Sequence, residues 1–580
     1  MNAPTSQRKN VSFAVVGSGG AGAITAGSIL IEAAGKSGWY GLMNRSVGPQ
    51  IRGGEAAALV RLSTKPAACM SKDFDILVAI DWKKAERFIG AMPVSKGGLV
   101  IADPAAGEPP QMLLDSDCTI VQCPIGELAK SIDGGRANMI AVGLVSQLIG
   151  LPETTVMRVV DQKLAQKGTN AVDIGQKCVE VGIKATQGFA ISVPLASPVQ
   201  SKELLWLITG NEAVGLGTLR GGVRFAAAYP ITPATEVLEY LAPSLSKIGG
   251  ALVQAEDELA SVNMIIGSSF GGLPSVTATS GPGLSLMMES LGLATASEIP
   301  LVVIDVMRVG PSTGIATKSE QSDLNIAVYG LHGDAPHVVI APLSVADCLF
   351  TGQYAVHIAE TLQSPVIVLS DQSIGQSRVL IDRPTEIGFL TKRKPYEATG
   401  QVYNRYALTA DGVSPMAVPG QAGGQYTADG LTHSVRGTPS TSKTDHKDQL
   451  DKRSAKISGF DFGDHWGAVE GPPESDTILL TWGSVTGAAR EALDILTDEG
   501  ISARMVSLRQ ISPFPTQALQ GALRSASRVL LIEQTHGGQF YRYVRSHTDL
   551  PGDVRSLNRE GPDVIGPHEI AASISDWNAK

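Results

Sequence analysis

The sequence predicts a multidomain α/β protein built on doubly wound sheets, and three observations carry that expectation. Between residues 196 and 395, strand-like and helix-like stretches alternate at regular spacing, the pattern of a parallel sheet covered by helices on both faces. Glycine is abundant at 64 residues and comes with much Ala, Val and Ile, while aromatic residues are only 5%; this favours layers joined by tight turns over a β-sandwich. The chain is also long, 580 residues, where a domain takes roughly 100–200, so three or four domains are expected. With 43% apolar and 18% charged residues, each can bury a core, which argues against global disorder.

The first segment, 1–195, opens with the β-branched strand Val11–Val16, a glycine-rich turn over 17–22 and an Ala/Ile-rich helix, Ile24–Ala34. Phe74–Ile80 and Leu99–Ala102 are continuous apolar runs of the kind that form buried parallel strands. In the second segment, 196–395, the strands are read at Phe225–Ala228, Ala251–Gln254, Val276–Thr279, Leu301–Val306, Val338–Ile340 and Val366–Leu369. The helices between them are read at Asn211–Leu219, Pro233–Ser246, Asp257–Gly267, Leu284–Ala296 and Val345–Leu362. Residues 396–475 are rich in Gly, Ser, Thr, Asp and Pro with weak periodicity, and read as a long, mostly irregular connection. The last segment, 476–580, returns to α/β, with strands Thr477–Thr481, Ala503–Leu508 and Val529–Glu533 and helices Val485–Asp498, Thr516–Ser525 and within Gln539–Ser546. No internal repeat is evident.

Composition removes several function classes. Forty-seven basic against 56 acidic residues give a net charge of −9 with no Lys/Arg run, so nucleic acid is not an expected partner. No apolar stretch is long enough to span a membrane. The polar start Met1–Asn10 runs straight into a strand with no signal-peptide core, which makes the cytoplasm the expected location. Five sparse cysteines (Cys69, Cys118, Cys123, Cys178, Cys348) form neither a disulfide framework nor the tight thiolate set of an iron–sulfur cluster, and read as free thiols.

Several motifs sit where a strand hands over to a helix. Gly17-x-Gly19-x-x-Gly22 fits a dinucleotide fingerprint, but no Asp or Glu lies between Glu32 and Glu55 to take a ribose hydroxyl. What remains is a loop whose backbone N–H groups can face an anion at a helix N-terminus, or a turn needed only for packing. Arg52, in Arg52-Gly53-Gly54, is a second anion contact or a solvated charge. Tyr229-Pro230-Ile231-Thr232-Pro233 lies at a strand's C-terminal end, the edge where open α/β sheets bind ligands; Thr232 there is either a helix cap or a hydroxyl fixed towards a ligand. Glu256-Asp257-Glu258 opens an unusually apolar helix. First-turn acids complement the macrodipole, yet a carboxylate on so apolar a helix can be desolvated and able to share a proton. Thr279-Ser280-Gly281-Pro282-Gly283 and the stretch from Met307 to Gly314 occupy two more strand ends. Arg308, just beyond the run Leu301–Val306, can grip a carboxylate with its fork, the alternative being a surface ion pair.

As a set, these motifs resemble the α subunit of the 2-oxoacid:ferredoxin oxidoreductases, thiamine diphosphate enzymes that convert 2-oxoacids to acyl-CoA by oxidative decarboxylation. The resemblance covers nearly the whole chain. Residues 1–195 look like the family's γ domain fused at the N-terminus, with Ala21 where the loop often carries Gln. Residues 196–395 look like its pyrimidine-binding domain, through 229–233, 256–258, 279–283 and 308–317. Within the connection, 411–415 and Lys452-Arg453 are similar to family sequence, and 476–580, with Glu533-Gln534 and 537–539, resembles a transketolase C-terminal domain. The fused arrangement is most like the 2-oxoglutarate enzymes.

The resemblance implies roles. Glu258 would contact the cofactor's aminopyrimidine ring, where a shared proton activates the thiazolium carbon; Pro230 and Thr232 would line the same side. Thr232, Arg308 and Thr317 would stand beside the reacting carbon, and Gly17, Gly19, Gly22 and Arg52 would serve coenzyme A, the acyl-accepting substrate. The chain has no Gly-Asp-Gly…Asn-Asn segment and no clustered cysteines, so Mg2+ and the [4Fe–4S] cluster are expected on a β subunit, with no metal ligands here. The partners implied are that β subunit and ferredoxin, in a dimer of αβ heterodimers whose active site needs both chains; this chain alone is expected to be inactive. Pyruvate or branched-chain 2-oxoacid enzymes are the near alternatives; an NAD-dependent dehydrogenase and a catalytically silent scaffold are the distant ones.

Overall fold

The computed structural model describes residues 8–47, 55–82, 90, 92–189, 191–198, 204–386, 388–390 and 392–578. The chain forms two compact units: one runs up to Ile208 and includes Gln376–Thr385, the other comprises Thr209–Gly375 and the chain from Glu386 onward.

The first unit is built on an eight-stranded sheet. Its strands are β1 (Asn10–Ser18), β2 (Tyr40–Val47), β3 (Glu55–Ser63), β4 (Phe74–Ala79), β5 (Val94–Ala102), β6 (Thr119–Gln122), β7 (Trp206–Thr209) and β14 (Arg378–Ile381), in the order β6-β5-β4-β1-β3-β2-β14-β7. Residues Val11–Val16 are buried on both faces, which is why β1 reads as an unbroken apolar run. β1 pairs parallel to β4 but antiparallel to β3, so the sheet is mixed. The sequence reading did not identify β2 or β3. β3 carries an Ala-rich stretch with helical propensity and β2 is half polar; nine register partners between β1 and β3 override both local preferences. The helix Ala23–Lys36 packs closely enough that a Cβ on Gly27 would stand 2.5 Å from the Ala58 Cβ.

The second unit holds two sheets. The larger contains β8 (Phe225–Ala228), β9 (Ala251–Gln254), β10 (Ser275–Thr279), β11 (Leu301–Met307), β12 (Val338–Ile340), β13 (Pro365–Asp371) and β18 (Gln510–Ser512), in the order β18-β12-β13-β11-β10-β8-β9. Its strands run parallel except β18, which pairs antiparallel with β12 at one edge. The smaller contains β15 (Gly467–Glu470), β16 (Thr477–Trp482), β17 (Arg504–Leu508), β19 (Arg528–Glu533) and β20 (Asp553–Asn558), parallel apart from edge strand β15. One hydrophobic core joins the two, with Leu301, Val303 and Leu369 packed in the same cluster as Leu480, Trp482 and Phe540. Among the described residues no helix is long and apolar enough to cross a membrane.

The connection 396–475 is largely irregular, but it contains β15 and a 16-residue helix, Lys443–Ser458, capped by Ser442. Periodicity missed this helix because its buried face is polar: Gln449, Lys452, Arg453 and Lys456 point inward. Lys452 and Lys456 clamp the two carboxylate oxygens of the fully buried Glu298 at 2.7 and 2.9 Å. Burial alone would push the Glu298 carboxyl up. The Lys456 and Lys452 ammonium groups and the Arg405 guanidinium overcome that and hold it far below the usual carboxylate range.

Candidate active site

The C-terminal ends of β8, β9, β10 and β11, neighbours in the sheet, carry the motifs singled out above. After β8 the chain passes the exposed Tyr229 and the half-buried Pro230 to Thr232 and a cis peptide at Pro233. The following helix begins at Thr235 with Ala234 as its N-cap residue, so Thr232 is not its cap. Standing two residues before the cap, the Thr232 hydroxyl does not reach the first-turn N–H groups and stays uncommitted. Its carbonyl accepts a hydrogen bond from Nη1 of Arg308 at 2.6 Å.

After β9 the three acids separate by role. Glu256 is exposed, and Asp257 caps the helix Glu258–Phe270 by accepting from the Ala260 N–H at 2.7 Å. Glu258 is the buried one, at 7% exposure, and its carboxylate makes no hydrogen bond among the described residues. It lies against the first turn of the helix Gly281–Ala296. A Cβ on Gly283 would stand 2.6 Å from Glu258 Cγ and 2.7 Å from its Oε1, and nearer still to the Thr279 hydroxyl. The glycine is therefore required by close approach: it opens the place that Glu258 occupies.

At the end of β11 Arg308 is 7% exposed, and its Nε has no partner. Burial pulls its pKa down and the Asp323 carboxylate pulls it back up. The loop from 309 to 323 then folds on itself, with an antiparallel bridge between Val309 and Ile315 and with Val309 N–H donating to Lys318 O at 3.0 Å. Thr317 rides on this loop, half-buried. The C-terminal segment fastens the loop's base. Gln321 N–H donates to Gln534 O at 2.8 Å, Gln534 N–H returns a bond to Gln321 Oε1 at 2.9 Å, and Gln539 Nε2 donates to Ser322 O at 2.8 Å. Glu533 in turn accepts the N–H groups of Phe540 and Tyr541, each at 2.8 Å, and so fixes the turn that presents Gln539.

The loop at Gly17, Gly19 and Gly22 lies in the first unit. Gly22 has φ +87° and serves as the N-cap of Ala23–Lys36 without a side-chain bond. The N–H and hydroxyl of Ser18 both donate to Asp81, at 3.0 and 2.8 Å, so the protein's own carboxylate takes those donors. Arg52 lies outside the described residues. Among the described residues no three His, Cys, Asp or Glu side chains converge as metal ligands.

Sequence reasoning gave no role to Gln321, whose backbone N–H donates to Gln534 O and whose side-chain oxygen accepts from Gln534 N–H at the base of the Arg308 loop; no local signal announces so remote a pairing.

An uncommitted carboxylate, a buried arginine and free hydroxyls gather at the C-terminal edge of one parallel sheet, the place where α/β enzymes bind their ligands, and the comparisons narrow the class. Residues 216–452 match the family model described as pyruvate flavodoxin/ferredoxin oxidoreductase, thiamine diphosphate-binding. Residues 12–185 match pyruvate ferredoxin/flavodoxin oxidoreductase, and 475–570 match core domain II of pyruvate:ferredoxin oxidoreductase. The 2-oxoglutarate synthase subunit KorA of Methanothermobacter marburgensis is 34% identical over 64% of this chain and 98% of its own length. Subunit alpha of 2-oxoacid:ferredoxin oxidoreductase 2 from Aeropyrum pernix is 28% identical over 97% of both chains. The structure of 2-oxoglutarate:ferredoxin oxidoreductase from Magnetococcus marinus, with 2-oxoglutarate, coenzyme A and succinyl-CoA bound, superposes with a TM-score of 0.92 at 35% identity, covering 98% of this chain and 100% of that one. The chain belongs to the 2-oxoacid:ferredoxin oxidoreductase family, as an α subunit with a γ-type domain fused at its N-terminus.

Proposed function

We propose that this chain is the α subunit of a 2-oxoglutarate:ferredoxin oxidoreductase. With a β subunit it converts 2-oxoglutarate and coenzyme A to succinyl-CoA and CO2 and passes the electrons to ferredoxin. The observation that carries the reading is Glu258, buried at the sheet edge with no hydrogen bond to its carboxylate among the described residues, in a place that Gly283 keeps open. A carboxylate that spends no hydrogen bond among the described residues is free to accept one from a ligand, and a protonated ring nitrogen is such a donor. The residues thus fit an aminopyrimidine, with Glu258, Thr232 and Pro230 on its side. Thiamine diphosphate bound there supplies the carbanion stabilisation that decarboxylation needs.

The chain's own residues do the rest. Glu258 holds and shares the proton at the ring nitrogen. The Arg308 fork holds the substrate carboxylate, and the Thr232 and Thr317 hydroxyls supply hydrogen bonds beside the reacting carbon. Apolar side chains around this edge, Tyr229, Val253, Leu259 and Leu286, are exposed, in keeping with a β subunit that brings the Mg2+–diphosphate site and the [4Fe–4S] cluster. Two αβ pairs would make the complex, in the cytoplasm. Gly17, Gly19, Gly22 and Arg52 are candidates for coenzyme A contacts.

The choice of 2-oxoglutarate is favoured by the KorA relatives and by the ligands of the Magnetococcus marinus structure. Pyruvate and 2-oxoisovalerate are the competing substrates. The test is turnover of the reconstituted αβ complex on all three. The proposal expects the highest kcat/KM on 2-oxoglutarate; a higher value on pyruvate would move the specificity. Absence of NADH binding by fluorescence would remove the dinucleotide alternative.

A further inference from the structure

The helix Lys443–Ser458 turns Gln449, Lys452, Arg453 and Lys456 inward, and the Glu298 clamp uses only the two lysines. Arg453, 8% exposed, forms no ion pair or hydrogen bond among the described residues, and its Nε is buried without a partner. Gln449, 2% exposed, donates from Nε2 to the Tyr406 carbonyl at 3.1 Å, which leaves its buried Oε1 unmatched. Both line a cavity of about 230 Å3, whose other walls are the second half of the helix Gly281–Ala296, the stretch 332–335 ahead of β12 and the chain at 430–432. The first turn of that helix meets Glu258 and its last turn lines the cavity, so the two places lie about 18 Å apart along one helix axis. A buried guanidinium without a counter-charge is costly. The Glu298 carboxylate is already shared by Lys452 and Lys456, at 2.7 and 2.9 Å, and the acids of the cavity, Glu289 and Asp334, are exposed and form no ion pair with Arg453 among the described residues.

We infer that this cavity binds a small zwitterion, an α-amino acid with an uncharged side chain, whose carboxylate lies on Arg453 and whose ammonium group is taken by Gln449 Oε1 and the acids at the mouth. Arg453 and Gln449 stand four residues apart on one helix face, so a planar cationic fork and an amide oxygen are neighbours on the cavity floor. The fork suits a carboxylate, and the amide oxygen needs a donor. An α-amino acid carries its carboxylate and its ammonium group on a single carbon, which matches two adjacent side chains of opposite hydrogen-bonding sense. The buried Thr295 hydroxyl, which donates to the Leu291 carbonyl at 2.9 Å, keeps its oxygen's lone pairs for a second donor. Glu289 and Asp334 attract the ammonium group and repel a ligand with a second carboxylate. A bare anion would leave Gln449 Oε1 unmatched.

The test is isothermal titration of the reconstituted αβ complex with L-glutamine, L-glutamate, acetate, methylamine and inorganic phosphate. L-glutamine should bind at least about tenfold more tightly than each of the other four. It should bind equally well to the Arg308→Ala complex, which separates this cavity from the catalytic edge. Arg453→Met fills the same space without the charge and should lose at least about 30-fold in affinity for L-glutamine. Glu289→Gln combined with Asp334→Asn changes only exposed side chains and should narrow the gap between L-glutamine and L-glutamate to less than about threefold; this arm decides the matter if Arg453→Met does not fold. No heat from L-glutamine in wild type, an unchanged affinity in Arg453→Met or an unchanged preference in the double variant would overturn the inference. So would phosphate or acetate bound as tightly as L-glutamine, the mark of a simple anion site, and so would loss of binding in Arg308→Ala, which would put the amino acid at the catalytic edge.

Discussion

The Glu258 side chain occupies the space that a Cβ on Gly283 would need: Oε1 lies 2.7 Å and Cγ 2.6 Å from that position. One residue opens the helix after β9 and the other sits in the first turn of the helix after β10, so the close approach ties two adjacent strand ends together. It also fixes where a buried, unpaired carboxylate can point.

Gly283→Ala is accordingly expected to push Glu258 off its position. Turnover of the reconstituted complex should fall about 10²-fold, the usual scale for a misplaced proton-transfer group, while the circular dichroism spectrum stays native. Gly267, in the Glu258–Phe270 helix, has nothing within 4 Å of an added Cβ. Gly267→Ala should leave turnover unchanged and raise stability by about 0.5–1 kcal/mol, and thermal melts of both variants check the pair.

Arg308 presents a planar fork and bonds the Thr232 carbonyl with only one of its arms. Arg308→Lys keeps the charge but loses the fork, so KM for the 2-oxoacid should rise about 10-fold or more with a smaller change in kcat. Arg308→Ala should cost more in kcat/KM. Steady-state kinetics on the 2-oxoacid, with coenzyme A saturating, separates the two parameters.

Glu298 is clamped by Lys452 and Lys456 in a fully buried cluster that also includes Arg405. Glu298→Gln leaves these cations uncompensated and should cost about 3–5 kcal/mol, read as a lower thermal midpoint. The pH dependence has a definite sign. The folded-state pKa of Glu298 lies below its ordinary value of 4.5, so its contribution is present above that pH and fades as pH falls towards the folded value. Wild type should lose stability more steeply than Glu298→Gln in that acid range.

The sequence made buried strands legible where they are continuous apolar runs. Phe225–Ala228 was read to the residue, Leu301–Val306 fell one residue short of β11, and the exposed edge strand Ala251–Gln254 was also read to the residue, from its place in the alternation rather than from burial. It failed where burial is polar or pairing is remote. The helix Lys443–Ser458 turns Lys and Arg inward to meet Glu298, which no apolar stripe announces, and β3 is held by pairing with β1 across some forty residues of chain. At the site, Glu258 and Arg308 were found because an acid opening an apolar helix and an arginine ending an apolar strand are local signals. The work of Gln534 and Gln539 in fastening the Arg308 loop, by contrast, depends on a segment more than two hundred residues away.

The account stands on Glu258 acting as the proton-sharing group at a bound thiamine ring. The most direct measurement is the exchange rate of the cofactor's C2 proton with deuterated solvent, followed by NMR in the αβ complex for wild type and Glu258→Gln, with cofactor occupancy measured alongside. The account predicts exchange at least about 10²-fold slower in the variant at full occupancy. An unchanged exchange rate in a fully loaded variant would contradict it.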